Sequence, residues 1–183
     1  MPYQMNLKMK QLIIQKSEEI FEKIKGYREY IHANPELSYE EHETMAFISE
    51  KLDELGIDHK TRVGKTGIVA VIRGDHHTTE DHAIGLRADM DALPILEETN
   101  LSFASKKDGI MHACGHDVHT SILLGSAEII YENRNKLNSP VKLIFQPGEE
   151  KNPGGATYMI NDGVMKNPVV KKLHALHVFP DME

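Results

Sequence analysis

The hydrophobic pattern changes its period along the chain, and this change most constrains the fold. Before residue 57 the apolar residues recur at helical spacing, which predicts one helix over 12–31 and another that ends at Gly56. Asn34-Pro35 ends the first helix, and Ser38 with Glu41 matches a capping box for the second. After residue 65 short apolar runs replace the helical pattern, so we expect strands there.

Strands and helices alternate in the second part of the chain. The apolar runs predict strands over 66–73, 83–88, 141–145 and 172–179, with helices over 115–136 and 154–160. This alternation predicts an α/β fold, an α/β/α sandwich around a mixed, largely parallel sheet. Because ligands of such sheets bind beyond the carboxyl ends of the strands, we expect the reactive side chains that follow strands to meet at one edge.

Composition excludes several classes of protein. The single cysteine among 183 residues excludes a disulfide scaffold, and a net charge of -7 argues against nucleic acid or an anionic membrane as the partner. The apolar runs are too short to cross a bilayer, and residues 1–16 lack the apolar core of a signal peptide. We therefore expect one domain over 1–183, a cytoplasmic location and no membrane partner.

Metal-ligand residue types cluster around the single cysteine. The segment MHACGHDVH at 111–119 holds three histidines, Cys114 and an aspartate. Cys114 and His116 flank a glycine where a loop enters a helix, so both could face one point, and a thiolate could bridge two cations. The alternative is a buried free cysteine beside exposed histidines. The other histidines, His32 among them, and acidic pairs such as Glu97-Glu98 fit a solvated surface.

Acidic pairs follow two of the predicted strands. Glu149 and Glu150 could divide the work of metal-assisted hydrolysis, one holding a cation and the other taking a proton from water. The alternative is a solvated surface pair. Asp89 and Asp91 could orient ligand histidines or touch the metal directly. The alternative there is a turn stabilised by Asx hydrogen bonds.

His177 is the last candidate ligand. It lies in the predicted strand 172–179, where residues 174 and 177 would point to opposite faces. Between two apolar neighbours we expect its ring to be buried and to need a partner. A metal or a backbone carbonyl would satisfy that need equally well.

Taken together, the motifs resemble the aminoacylase-like metallopeptidases. In order they are HANPELSYEE, RADMDALP, MHACGHDVH, QPGEE and GGATYMINDGVM followed by LHALHV, and the resemblance covers the chain from about Ile20 to Pro180. More narrowly, the set is similar to the amidohydrolase branch with hippurate hydrolases, N-acetyldiaminopimelate deacetylases and indole-acetyl-amino-acid hydrolases. Five motifs in one order are far more specific than any one alone.

The resemblance implies two divalent metal ions, which could be zinc, manganese, cobalt or nickel. It implies four protein ligands, with the first bridging both ions: Cys114, His116, Glu150 and His177. Glu149 matches the family's general base, and Asp91 is the better match to an aspartate that supports catalysis. Asp89 stands where related branches carry a ligand histidine, which argues against a metal role for Asp89, and either aspartate could be the one that supports catalysis.

The implied reaction is hydrolysis of N-acyl amino acids to a carboxylate and a free amino acid. Family members are longer: a lid or dimerisation domain and a last histidine ligand follow the region present here. We therefore expect 1–183 to be a partial catalytic domain, with little or no hydrolase activity alone, from a protein whose full-length relatives dimerise. One alternative is a catalytically inactive metal-binding protein of this fold. A thiol redox protein is a third, and the lack of a second cysteine argues against it.

Overall fold

The computed structural model describes residues 7–78 and 81–179, so Pro180 at the end of the resemblance lies outside it. The helices are α1 (Leu7–Ala33), α2 (His42–Glu54), α3 (His116–Glu132) and α4 (Gly155–Asn161), with a 3-10 turn at Arg134–Lys136 after α3. The strands are β1 (His59–Val63), β2 (Gly67–Ile72), β3 (Ala83–Asp89), β4 (Val141–Gln146) and β5 (Val170–Ala175). The predicted alternation of elements is confirmed.

The five strands form one mixed sheet in the order β1-β2-β4-β3-β5. β3 pairs in parallel with β4 and β5, whereas β2 pairs antiparallel with β1 and β4. The predicted α/β class is thus confirmed. β1 was not predicted, because its sequence HKTRV lacks the apolar alternation of a half-buried strand.

The sheet is covered on both faces, which gives the predicted sandwich. β4 is buried along its whole length, and its side chains alternate between the two layers. Leu143 and Phe145 join the main core with α2 and α3, while Ile144 packs against Met159 of α4. α1 lies outside α3, where the absence of a side chain at Gly125 admits Ile24.

The N-terminus of α2 is capped differently from the prediction. Ser38 and Glu41 make no capping box: Glu41 precedes the helix without a side-chain cap bond. The carboxylate of Glu36 instead accepts the backbone N–H groups of Glu43 and Thr44, at 3.0 and 2.8 Å. The capping-box pattern compares only residues that are three positions apart. Here the acceptor is Glu36, which lies in the loop before the helix, seven and eight positions before the N–H groups that it accepts.

The two residues of the expected capping box serve more distant partners. Ser38 donates its hydroxyl to Asp91 at 2.6 Å, 53 positions away. Buried Glu41 accepts the hydroxyl of Thr66 and, at 2.7 Å, the N–H of Gly148. Both side chains therefore join the α1–α2 connection to the turns that follow β3 and β4.

Lys142 in β4 fixes the segment that follows α4. Its ammonium group donates to the carbonyls of Val164, Lys166 and Pro168, at 2.8, 2.7 and 3.0 Å. Three acceptors match the three protons of an ammonium group, so this nearly inaccessible cation is satisfied by backbone dipoles.

No helix within 7–78 or 81–179 is long and apolar enough to cross a membrane.

Candidate metal centre

Potential metal ligands converge beyond the carboxyl ends of β3 and β4, beside the first turn of α3. Three groups of side chains bring ligand atoms within 4.8 Å of one another: Cys114, His116 and His177; Asp89, His116 and His119; and His116, Glu149 and Glu150. His116 belongs to all three. Gly115, with φ +83°, allows the sharp turn between Cys114 and His116.

The ring of His116 is oriented by Asp91 so that one nitrogen is free. Its Nδ1 lies 2.8 Å from the backbone carbonyl oxygen of Asp91 and must donate to it, which makes Nε2 the acceptor in the neutral ring. Nε2 is buried without a hydrogen-bond partner, 3.7 Å from Asp89 Oδ2 and 3.8 Å from Glu150 Oε1. An unpaired nitrogen facing two carboxylates is suited to a cation between them.

Cys114 and His177 face each other across the same centre, with Sγ 3.5 Å from Nε2. The prediction of a buried His177 in a strand is wrong: β5 ends at Ala175 and the ring is exposed. The strand ends early because Val178 donates its N–H to His119 at 3.0 Å instead of to a strand. His177 Nδ1 contacts the carbonyl oxygen of Val178 at 2.8 Å, which leaves Nε2 towards the cysteine.

Burial raises the pKa of the Cys114 thiol to about 12, and a hydrogen bond to Glu150 adds to the effect. Asp89, Glu149 and Glu150 also surround the thiol with negative charge, so a thiolate there requires a cation. A set of sulfur, imidazole and carboxylate donors is typical of divalent transition metals and zinc. The residues present therefore fit a divalent metal site.

Asp91 holds the turn that carries the two glutamates. Its carboxylate accepts the N–H groups of Glu149 and Glu150, both at 3.0 Å, in addition to the hydroxyl of Ser38. Glu149 is exposed, whereas the side chain of Glu150 is only 25% exposed. The buried Asp91 thus orients His116 and the QPGEE turn together without presenting a free oxygen of its own.

Asp89 is held ionised by its neighbours. Burial alone would raise its pKa, but the hydrogen bond from His119 and the charge of Arg87 hold the pKa of Asp89 at about 2. His119 Nδ1 lies 2.6 Å from Asp89 Oδ1. Sequence reasoning gave His119 no role, although residues three apart on a helix share a face, and this spacing from His116 could have identified it.

The third histidine of the MHACGHDVH segment does not reach the centre. His112 is buried, neither of its ring nitrogens has a partner, and burial lowers its pKa to about 4. Of the three histidines in this motif, only His116 and His119 therefore lie among the potential ligands.

Behind the centre lies a buried charge cluster that the sequence did not indicate. His32 was expected on a surface, yet its Nδ1 lies 2.7 Å from Asp117 and its Nε2 lies 3.2 Å from Glu97. Ionised carboxylates only accept hydrogen bonds, so two such partners require an imidazolium. Glu97 was also expected to be solvated, but its side chain is 4% exposed and accepts the N–H of Ser105 at 2.6 Å.

Substituting Asp91 by asparagine is expected to weaken metal binding about 10- to 100-fold, because residues that hydrogen-bond to metal ligands contribute on this scale. An amide cannot accept from Ser38, Glu149 and Glu150 at once without turning an NH₂ group towards one donor. Titration calorimetry with Zn²⁺ would measure the change. Asp108→Asn, on an exposed carboxylate, is the matched control, and equal affinities for the two variants would contradict the role of Asp91.

The His32 cluster is expected to make stability depend on pH. Hydrogen bonding to Asp117 raises the pKa of His32, so its contribution is complete below the unfolded value of about 6.5 and is lost as pH rises through the folded value. His32→Gln should thus cost about 1–3 kcal/mol near pH 6 and less near pH 9. Urea unfolding of both proteins would test this, since a difference that does not vary with pH would contradict an imidazolium.

Comparison with known proteins gives consistent matches. Residues 85–183 match the family model described as peptidase family M20/M25/M40. The chain is 48% identical over 157 residues to the N-acetyl-L-cysteine deacetylase of Bacillus subtilis, covering 86% of this chain and 36% of that protein. It is 42% identical over 148 residues to an N-acyl-L-amino acid amidohydrolase of Geobacillus stearothermophilus, covering 81% and 39%.

Solved structures agree with the sequence matches. The YXEP protein of Bacillus subtilis, described as a dinuclear metal binding peptidase, superposes with a TM-score of 0.82 and 40% identity. That match covers 90% of this chain and 44% of the YXEP chain. This chain thus spans between a third and a half of the length of these relatives.

Proposed function

Because the chain belongs to peptidase family M20/M25/M40, we propose that it carries the metal centre of an amidohydrolase that cleaves N-acyl amino acids into a carboxylate and a free amino acid. The observation that carries the proposal is the unpaired, buried Nε2 of His116, which faces a thiol, a second imidazole and carboxylates. The names of the Bacillus deacetylase and the Geobacillus amidohydrolase support the substrate class.

The centre would hold two divalent ions, zinc, manganese, cobalt or nickel, through Cys114, His116, Glu150 and His177. The dinuclear description of the YXEP protein supports this number. When bound, such ions make water more acidic and polarise the scissile carbonyl. Asp91 keeps the lone pair of His116 directed at the centre, whereas Asp89 fixes the ring of His119, whose other nitrogen accepts the N–H of Val178.

Glu149 would act as the general base and acid. Its backbone is fixed by Asp91, while its exposed carboxylate is free of protein partners among the residues described and lies in the His116 group of ligand atoms. In this role it takes a proton from water and later delivers it to the leaving amine. Glu150, next in the chain, would bind metal, because its Oε1 lies 3.8 Å from the unpaired Nε2 of His116.

The proposal is tested in two stages, by metal content first and turnover second. Elemental analysis after loading should give two metals per chain, and Cys114→Ser should lower that number because a hydroxyl replaces the soft bridging ligand. Hydrolysis of N-acetyl-L-cysteine is then measured for the chain, and for the chain joined to the C-terminal remainder of the Bacillus deacetylase. Metal-dependent turnover by the joined protein would support the amidohydrolase.

Two other outcomes would change the conclusion. Stoichiometric metal without turnover in either form would favour the catalytically inactive metal-binding protein. No metal in either form would contradict the site itself. The cytoplasmic location and a dimer of the longer protein stay predictions from the sequence.

A further inference from the structure

A cavity of about 460 Å³ lies on the face of the sheet that carries α4. Strand register defines its floor: Lys60 of β1 is opposite Val69, and Val71 is opposite Lys142 of β4. Side chains alternate along a strand, so Arg73, two residues after Val71, continues the same row. Residues 162–167, after α4, form a wall of the cavity.

Arg73 is the unexplained group in this cavity. Its Nε is buried without a hydrogen-bond partner, and within the described residues no carboxylate lies within 4.0 Å of its guanidinium. The neighbouring cation, Lys142, donates all three of its ammonium protons to backbone carbonyls and does not neutralise the charge of Arg73. Burial first, and the charge of Arg73 second, lower the pKa of Lys142 to about 8. An unpaired, partly buried cation beside a second cation is costly, and an anion would relieve that cost.

The other lining residues indicate what kind of anion fits. Asp162 already accepts the N–H of Gly64 at 2.7 Å, and exposed Asp58 forms no ion pair with Arg73. Two further cations, Lys60 and Lys166, stand exposed at the cavity. Much of the remaining lining is valine, at positions 63, 69, 71 and 164. Cations beside a branched aliphatic surface suit an organic carboxylate better than a fully hydrated inorganic anion.

We propose that this cavity binds a small carboxylate with a short branched apolar body, with the carboxylate on Arg73 and the body against the valines of β2. The site is separate from the metal centre. Lys142 lies at the start of β4 and the metal centre lies beyond its end, and the four residue-to-residue steps from 142 to 146 alone span about 13 Å. Binding there requires neither metal nor hydrolysis.

The test uses methyl NMR spectra of the chain in the presence of a metal chelator, with Val69 and Val71 as reporters. Isovalerate is the probe, and isovaleramide is its neutral isostere. We expect saturable shifts of both valines with isovalerate and none with isovaleramide. Arg73→Gln should weaken isovalerate binding at least about tenfold, the scale of a charge-assisted hydrogen bond. Lys172→Gln, on exposed β5 outside the cavity, should bind like the parent chain.

Lys60→Gln is a second variant that keeps the proposal testable if Arg73→Gln does not fold. Lys60 is exposed, so its substitution should preserve the fold and weaken isovalerate binding by a smaller factor. The proposal is overturned if isovalerate leaves Val69 and Val71 unshifted, if isovaleramide binds equally well, or if well-folded Arg73→Gln binds like the parent chain. Shifts with inorganic phosphate but not with isovalerate would overturn the assignment to an organic carboxylate.

Discussion

Glu149→Gln is expected to lower hydrolysis of an N-acyl amino acid by about 10²- to 10⁴-fold, the usual contribution of a general base. The measurement is kcat for N-acetyl-L-cysteine in the protein joined to the C-terminal remainder of the Bacillus deacetylase. A glutamine keeps the backbone N–H that Asp91 accepts, so the turn should keep its shape. It removes the only function assigned to the side chain, which is to take and return a proton.

The metal content of Glu149→Gln distinguishes a general base from a metal ligand at this position. Glu149→Gln should bind as much metal as the parent chain, because Cys114, His116, Glu150 and His177 are unchanged. Glu98→Gln, on an exposed carboxylate outside the centre, should leave both metal content and kcat unaltered. If Glu149→Gln loses metal in proportion to activity, then Glu149 is a ligand and the assigned base is wrong.

Gly155→Ala should be the most destabilising small substitution, costing about 3 kcal/mol or more. A Cβ at residue 155 would lie 1.7 Å from the carbonyl oxygen of Pro147, which is backbone and cannot rotate aside. The N–H of Gly155 also donates to the carbonyl of Gly148 at 2.9 Å. Relieving the clash therefore displaces the QPGEE turn, so metal affinity should fall along with stability.

Urea unfolding and Zn²⁺ titration of Gly155→Ala would measure both effects. Gly26→Ala is the matched control, because residue 26 lies within α1 and a Cβ there meets nothing within 4 Å. That substitution should stabilise the chain by about 0.5–1 kcal/mol, since alanine favours a helix over glycine. If Gly155→Ala lowers the free energy of unfolding and Gly26→Ala raises it, then the close contact with Pro147, and not backbone freedom alone, explains the glycine at position 155.

Local patterns predicted the secondary structure of the chain well. Helical spacing of apolar residues located α1 and α2, and short apolar runs located β2, β3 and β4, because each of these elements buries an apolar face or run. The same patterns missed β1, whose side chains are mostly polar, and extended β5 through His177. The apolar residues after Ala175 continue a strand pattern, but a hydrogen bond between Val178 and His119 on another element diverts the chain.

The long-range polar contacts could not be predicted from local sequence patterns. Glu36 caps α2 from outside the helix, and Ser38 reaches Asp91 across 53 positions. His32 and Glu97 looked like surface residues, because nothing near them in the sequence supplies Asp117 or Ser105 as a partner. The motif residues Cys114, His116, Glu149, Glu150 and His177 do converge, but the geometry adds His119, which resemblance alone had passed over.

The end of β5 is tied to the rest of the molecule through the centre itself. Beyond Ala175, His177 approaches Cys114 and Val178 bonds to His119, while the side chains of β5 are nearly all solvent-exposed. A ligand that binds only the folded state stabilises every contact needed for its binding. Metal occupancy would thus help to hold the outer strand in place, and its loss would let β5 leave the sheet and expose the backbone edge of the longer, more buried β3, which is a template for aggregation. Loss of metal would then lower the solubility of this chain as well as disorder the candidate metal centre.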